Sequence, residues 1–475
     1  MLHKQKPRQG RKALRIRLHI STITTSKWIS TLGTKGSVAM KRFNLVFLAL
    51  CAMMTSCGPT DAPETTPTLR IWWAQWAPAD GLSELGTRFT DETGIQVQVH
   101  QIPWSAYQDQ VFLNFGNRQT DFDIVVGDSQ WIGRGASRNL YLDLTEWLPT
   151  AIDIDTIHPR AARYLCEYPA GSARFYAAPC ETDAIGMIYR KDWFEDPKER
   201  SAFEDRFGRP LTPPETWAEF REVASHFYRP DQKRYGCALP TGRGYDSLTM
   251  GFQMILWAFG ANWEEDQRVQ GVLDTPAAAQ ALEFFIDLLQ FAPPDASNLD
   301  YGKALEMFTN GSTAMALNYF AFFPGIVSQF GDNVGFAQVP GRKGQRHVSL
   351  GGQGFSISTK TSPERQERAK KFIAWFLQRD IQKAWITKDA GFTAHTDILK
   401  SETFAAASPY NKAFAQSLDH VKDFWNVPVF NELLSVAQQH LGEALDGVKA
   451  PEKALSQIAV SHERILAEWR AAGGS

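Results

Sequence analysis

The chain has 475 residues, with 50 Lys or Arg against 52 Asp or Glu and five cysteines. Eleven of the basic residues and none of the acids fall within the first 56 positions, so the remainder carries 39 basic against 52 acidic residues, a formal −13. That acidic body argues against sequence-blind binding to phosphate backbones, is long enough for a large core in two lobes, and has no further run of 18 apolar residues that would cross a membrane.

Residues 1–39 hold nine basic residues and no acid, with no helical or strand period; they read as a start assigned too early, outside the fold. Residues 40–56 read as a lipoprotein export signal. Lys41 and Arg42 form its basic end, Phe43 to Met54 its apolar stretch, and Thr55-Ser56 places small residues just before Cys57. This predicts cleavage before Cys57 and lipidation of that cysteine, which anchors the product by burying methylenes. The alternative is an ordinary signal cut nearby. Residues 57–67, rich in Pro, Thr and acid, read as a tether. Cys166, Cys180 and Cys237 allow one disulfide at most, and their spacing fits no zinc pattern.

The folded body opens legibly. Leu69 to Trp73 is a strand; Leu82, Leu85 and Phe89 recur at helical spacing and stop at Gly94; Ile95, Val97 and Val99 alternate as a second strand. A second helical pattern through Tyr107, Val111, Phe112 and Phe115 leads to the apolar strand Phe122 to Val126. A β-α-β-α-β series makes a parallel sheet whose ligands bind beyond the carboxyl ends of the strands. Ala74-Gln75-Trp76 and Gly127-Asp128-Ser129-Gln130-Trp131 lie at those ends, so an aromatic and a carboxylate meet at one rim.

Farther on, Thr275-Pro276 and Ser362-Pro363 each put a capping hydroxyl before an N1 proline. The stripes that follow, Leu282, Phe285, Ile286 and Leu289, then Ala369, Phe372, Ile373 and Phe376, read as core. Between them, GGQGFSIS at 351–358 reads as a strand returning to a sheet.

The order of segments, from IWWAQW through DFDIVVGDSQWIGRGA, LYLDLTEWL, YAAPCETDAIGMIYRKDWF and PPETWAEF to FTNGSTAM, GGQGFSIS, AKKFIAWFL and AGFTAHTDIL, resembles the type 1 extracellular solute-binding proteins of ABC importers, the maltose-binding-protein-like group. The resemblance covers residues 68–470. It implies an α/β, two-lobed periplasmic-binding-protein-like fold with a ligand cleft between the lobes: residues 68–182 and 352–398 in lobe 1, 183–351 and 399–475 in lobe 2. By matched segments it also implies solute contacts at Trp76, Asp128, Asp183, Asn318 and Tyr319 with Phe320 beside them, at Gly352 and Gln353 in a glycine-rich turn, and, from TGRGYDS, at Tyr245 and Asp246 with Arg243 nearby.

Residue type favours a carbohydrate. Sugar rings pack apolar C–H faces on aromatics, while their hydroxyls donate to carboxylates such as Asp128 and Asp183. Asp128 has a second reading as a helix cap, Asp183 as a solvated loop acid, and Trp131 and Trp257 as packing within a lobe. A secreted lipoprotein glycoside hydrolase would also use two carboxylates and aromatics. Yet no HExxH, GxSxG or GxxxxGK[ST] occurs, and His100, His347 and His395 are scattered. The reading is therefore a monomeric receptor without catalytic residue, metal or cofactor. It is lipid-anchored at Cys57 in the periplasm or at the cell surface, binds a sugar or polyol, and delivers it to an ABC permease, with no role for nucleic acid. A receptor for a non-sugar solute is the further alternative.

Overall fold

A computed structural model describes residues 66–388 and 391–474; the export signal, Cys57 and most of the tether lie outside the described residues. Strand β1 (Thr68–Ala74) is flanked by β2 (Gln96–Ile102) and β3 (Ile124–Asp128), all parallel. The apolar run of β3 is buried at every residue, as expected of a strand covered on both faces. At the edge, β2 alternates, with Val97 and Val99 half-buried between exposed neighbours. Helices α1 (Ala77–Thr93) and α2 (Trp104–Asn114) are the crossovers. Helix α1 buries Leu82, Leu85 and Phe89 and ends at Gly94, whose φ of 71° lets its N–H close on the Thr90 carbonyl. Tyr107 of α2 ties the strands together, its hydroxyl lying 2.8 Å from the carbonyl oxygen of Trp72 and 2.7 Å from that of Val126.

Helix α3 (Ser129–Ser137) follows β3 directly. Beyond it come the long strand β4 (Ala178–Arg190), β5 (Tyr235–Ala238), β6 (Thr313–Tyr319), β7 (Val334–Gln338), β8 (Val348–Ile357) and the short β9 (Val421–Lys422). The sheet runs β2-β1-β3-β8-β4-β6-β5, with β7 also on β4 and β9 on β8. Strand β8 lies antiparallel to β3. Residues Ala178 to Ala184 of β4 pair with β8, whereas Ile185 to Arg190 run beside β6 and β7. Two strands, β4 and β8, thus pass from one half of the sheet to the other.

Helices cover the sheet: α4 (Ser247–Ala258), α5 (Pro276–Leu289), α6 (Tyr301–Thr309), α7 (Pro363–Phe376), α8 (Phe430–Leu445) and α9 (Pro451–Ala471). Both predicted caps form, the Thr275 hydroxyl accepting from Ala278 N–H and the Ser362 hydroxyl from Arg365 N–H. Phe372 and Phe376 of α7 meet Phe355 of β8 edge-on, at centroid distances of 5.8 and 5.0 Å. Cys166, Cys180 and Cys237 are free and buried. Among the described residues no helix is long and apolar enough to cross a membrane, and no group of His, Cys, Asp and Glu is arranged to hold a metal.

Candidate ligand-binding site

Where β4 and β8 cross between the halves of the sheet, a cavity of about 260 Å³ opens. Register explains its floor. Asp128 of β3 is paired with Gln353 of β8, and Asp183 of β4 with Gly351. Trp76, at the end of β1, and Phe322, beyond β6, both line it and touch each other, with ring centroids 6.4 Å apart and planes tilted by 57°. Tyr319 closes β6 with its hydroxyl donating to the Leu350 carbonyl at 3.1 Å and its ring edge-on to Tyr301.

The carboxyls are held, not free. Asp128 stands at the N-cap position of α3, but its side chain makes no capping bond. It accepts instead from Gln353 Nε2 at 2.8 Å and from the Tyr245 hydroxyl at 3.2 Å. Gln353 in turn accepts from the indole N–H of Trp73. Asp246 accepts from Gln130 Nε2 and from the Tyr301 hydroxyl, both at 2.9 Å. The Tyr245 hydroxyl also lies 3.2 Å from Gln130 Oε1 and receives the Trp131 N–H at 3.2 Å. Asp183 is no solvated loop acid: it is a buried residue of β4 whose oxygens accept from Ala184 N–H and Ala321 N–H.

Burial pushes every one of these acids up. Asp128 rises to about 7, chiefly by desolvation and also by the nearby charges of Asp246 and Asp423, against the hydrogen bonds from Gln353 and Tyr245. Asp423, beyond β9 and beside Ser129, rises to about 7 by desolvation. Asp246 rises for the same reason, as do Asp183 and its neighbour Glu181, which repel each other.

The structure brings Trp76, Asp128, Asp183, Asp246, Tyr319, Gly352 and Gln353 to the cavity wall. Tyr245 and Asn318 stand behind it. Tyr245 touches the wall through Asp128 and Gln130, while Asn318, fully buried, holds the backbone of Tyr301 by a 2.7 Å bond from Nδ2. Arg243 is turned away into a bidentate pair with Asp446. Trp131 and Trp257 are buried packing residues. Gly352 lies within β8, not in a turn. Its φ of 94° and the Glu181 carbonyl, 2.3 Å from where a Cβ would sit, make glycine necessary to the neighbouring strand whatever the solute requires.

Unanticipated in the wall are Trp104, Met250, Asp300, Tyr301 and Phe322, while Gln130 comes from the β3-end segment already singled out. Trp104 follows the carboxyl end of β2, so the strand-end rule that singled out Trp76 applied to it equally. Phe322, three residues past the carboxyl end of β6, falls under the same rule, whereas Tyr301, at the start of α6, had no such signal.

Residues 73–383 match the family model described as bacterial extracellular solute-binding protein. The maltotriose-binding protein of Pyrococcus abyssi is 23% identical over 301 residues, a match covering 63% of this chain and 60% of that one. An ABC transporter solute-binding protein from Agrobacterium radiobacter K84, solved with ribitol, superposes with a TM-score of 0.72 at 21% identity, over 84% of this chain and 98% of that one. Maltose-bound MalE3 of T. maritima also gives 0.72, at 22% identity, over 84% and 99%. The fold is the two-lobed α/β architecture of these proteins.

Proposed function

From the premise that the chain belongs to the bacterial extracellular solute-binding proteins, of the maltose-binding-protein-like group, we propose that its cleft captures a sugar or polyol for delivery to an ABC permease without chemical change. The observation that carries this reading is a cavity with aromatic walls at Trp76, Tyr319 and Phe322 and buried carboxyl acceptors at Asp128 and Asp183. C–H faces pack on the rings, and hydroxyls donate to the acids. Relatives solved with ribitol and with maltose support both solute shapes.

Residues 68–182 with 352–398 form one lobe in this reading, and 183–351 with 399–475 the other. The two boundaries face each other across β4 and β8, where Thr182 pairs with Gly352 and Asp183 with Gly351, so these strands act as the hinge. A solute touching both lobes favours the closed form, which the permease recognises. Cys57, lipidated, tethers the receptor to the membrane; fatty-acid labelling that persists in Cys57→Ser would refute that anchor.

The direct test is a thermal-shift screen of residues 58–475 against sugars and polyols. A true ligand at a hundred times its Kd adds about 2.7 kcal/mol, or about 3 °C for a chain this long. A panel without any shift counts against the sugar reading, and released oligosaccharide products would replace it with hydrolysis.

A further inference from the structure

Asp128, Gln353 and Glu181 are register partners in a row across β3, β8 and β4, and Asp183 follows two residues after Glu181. Side-chain alternation therefore sets all four on one face of the sheet. That face is the cleft's, since Asp128, Asp183 and Gln353 line the cavity. Glu181 is completely buried, and neither of its carboxyl oxygens has a hydrogen-bond partner. Asp246 and Asp300 add carboxyls to the cavity wall, and Asp423 stands near Ser129 with one oxygen also unpartnered. Other titratable groups about them are the hydroxyls of Tyr245, Tyr301 and Tyr319, those of Tyr107 and Tyr141 near Asp128, and the Cys180 thiol beside Glu181.

Cations are missing from this lining: among the described residues no Lys, Arg or His lines the cavity. Arg243 is paired with Asp446 and Lys422 with Asn262, while Lys303 lies 3.6 Å from Asp300 and gives that acid, alone of those named, a counter-charge among the described residues. A neutral sugar needs acceptors, but not this many. Buried carboxylates without a counter-charge cost several kcal/mol, a cost that a charge arriving with the solute offsets.

We infer that the solute is a cationic polyhydroxy compound, an amino sugar or amino polyol, whose ammonium group is received between Asp128 and Asp183 with Glu181 behind them. This rests on the reading of the cleft as a solute site. Because burial raises Asp128 to about 7 and Asp183 to about 8, an incoming ammonium converts a carboxylic acid there to carboxylate and sends its proton to solvent.

Titration calorimetry at pH 7, in two buffers of different ionisation enthalpy, compares glucose with glucosamine, glucitol with 1-amino-1-deoxyglucitol, and maltotriose with the glucosamine trimer. The amines are expected to bind about tenfold tighter than their neutral parents, the margin of a charged over a neutral hydrogen bond, with proton release only for the amines. Glu181→Gln is expected to narrow the amine-to-neutral ratio several-fold; Asp183→Asn serves the same comparison if that variant does not fold. Neutral parents binding as tightly as amines, or amines binding without proton release, would overturn the inference and leave the sugar receptor standing. Binding by no member of the panel would overturn both.

Discussion

Asp128→Asn keeps the shape of the side chain and removes its charge, and the unliganded protein should become more stable for it. The folded-state value of about 7, against 3.8 for an ordinary aspartate, corresponds to about 4 kcal/mol. Its sign follows from the direction of the shift. A raised carboxyl contributes its full stability below 3.8, where both states are protonated, and loses it as the pH climbs through about 7 and charge is forced into the buried site. Asparagine never pays this cost, but it offers one acceptor where Gln353 Nε2 and the Tyr245 hydroxyl now find two, which returns about 1 kcal/mol. The net expectation at pH 8 is about 3 kcal/mol of stabilisation, or about 3 °C in Tm for a chain of this size. Towards pH 4 the advantage should disappear, leaving the variant level with wild type or slightly below it. Scanning calorimetry of both proteins at pH 4.5, 6, 7 and 8 reads the difference directly. Melting curves that stay a constant distance apart at all four values, or a variant less stable at pH 8, would refute the burial argument.

Trp76→Ala should weaken a ring-shaped solute by about 1 kcal/mol more than a linear polyol, because only the ring has a flat face to lose; equal losses in calorimetry would mean that Trp76 shapes the cavity without stacking. Tyr245→Phe removes the hydroxyl shared among Asp128, Gln130 and Trp131, and small-angle scattering of the unliganded variant should show a larger radius of gyration than wild type; an unchanged radius would show that this hydroxyl does not help close the cleft. Glu199 is held down at about 2, first by its bond with Arg229 and then by the charges of Arg229, Arg234 and His226. Its stabilising share is present above 4.5 and lost as the pH falls through about 2. Glu199→Gln should therefore cost about 1–2 kcal/mol at pH 7, discounted for the water that reaches the cluster, and less at pH 3; urea midpoints with the same deficit at both values would contradict that.

What was legible in the sequence was local. Gly94, Thr275 and Ser362 act through the few residues beside them, and the β-α-β-α-β series declares itself by period. Strand ends marked Trp76 and Asp128 for the same reason. Asn318 and Tyr319 show where that reading stops: neighbours on a strand point to opposite faces, so only one of the two could reach the cavity, and the motif does not say which. Tyr301 reaches the cavity from the start of α6 through its contacts with Tyr319 and Asp246, pairings between separate stretches of chain that no local pattern shows. The functional meaning assigned to Gly352 was incomplete for a similar reason, since the carbonyl that demands glycine belongs to another strand.

The three thiols of the folded body carry a consequence for how the protein matures. Cys166, Cys180 and Cys237 are unpaired, and burial raises each well above the ordinary thiol range or up to about 12. Once folded they are chemically silent, because oxidation and alkylation both need an accessible thiolate. Before folding they are not. A chain that emerges unfolded into an oxidising space exposes three thiols with no native partner, and any bridge between two of them is an error to be undone by exchange. Folding must therefore outrun oxidation. A pulse of alkylating reagent, invisible to the native state, would count the molecules still losing that race.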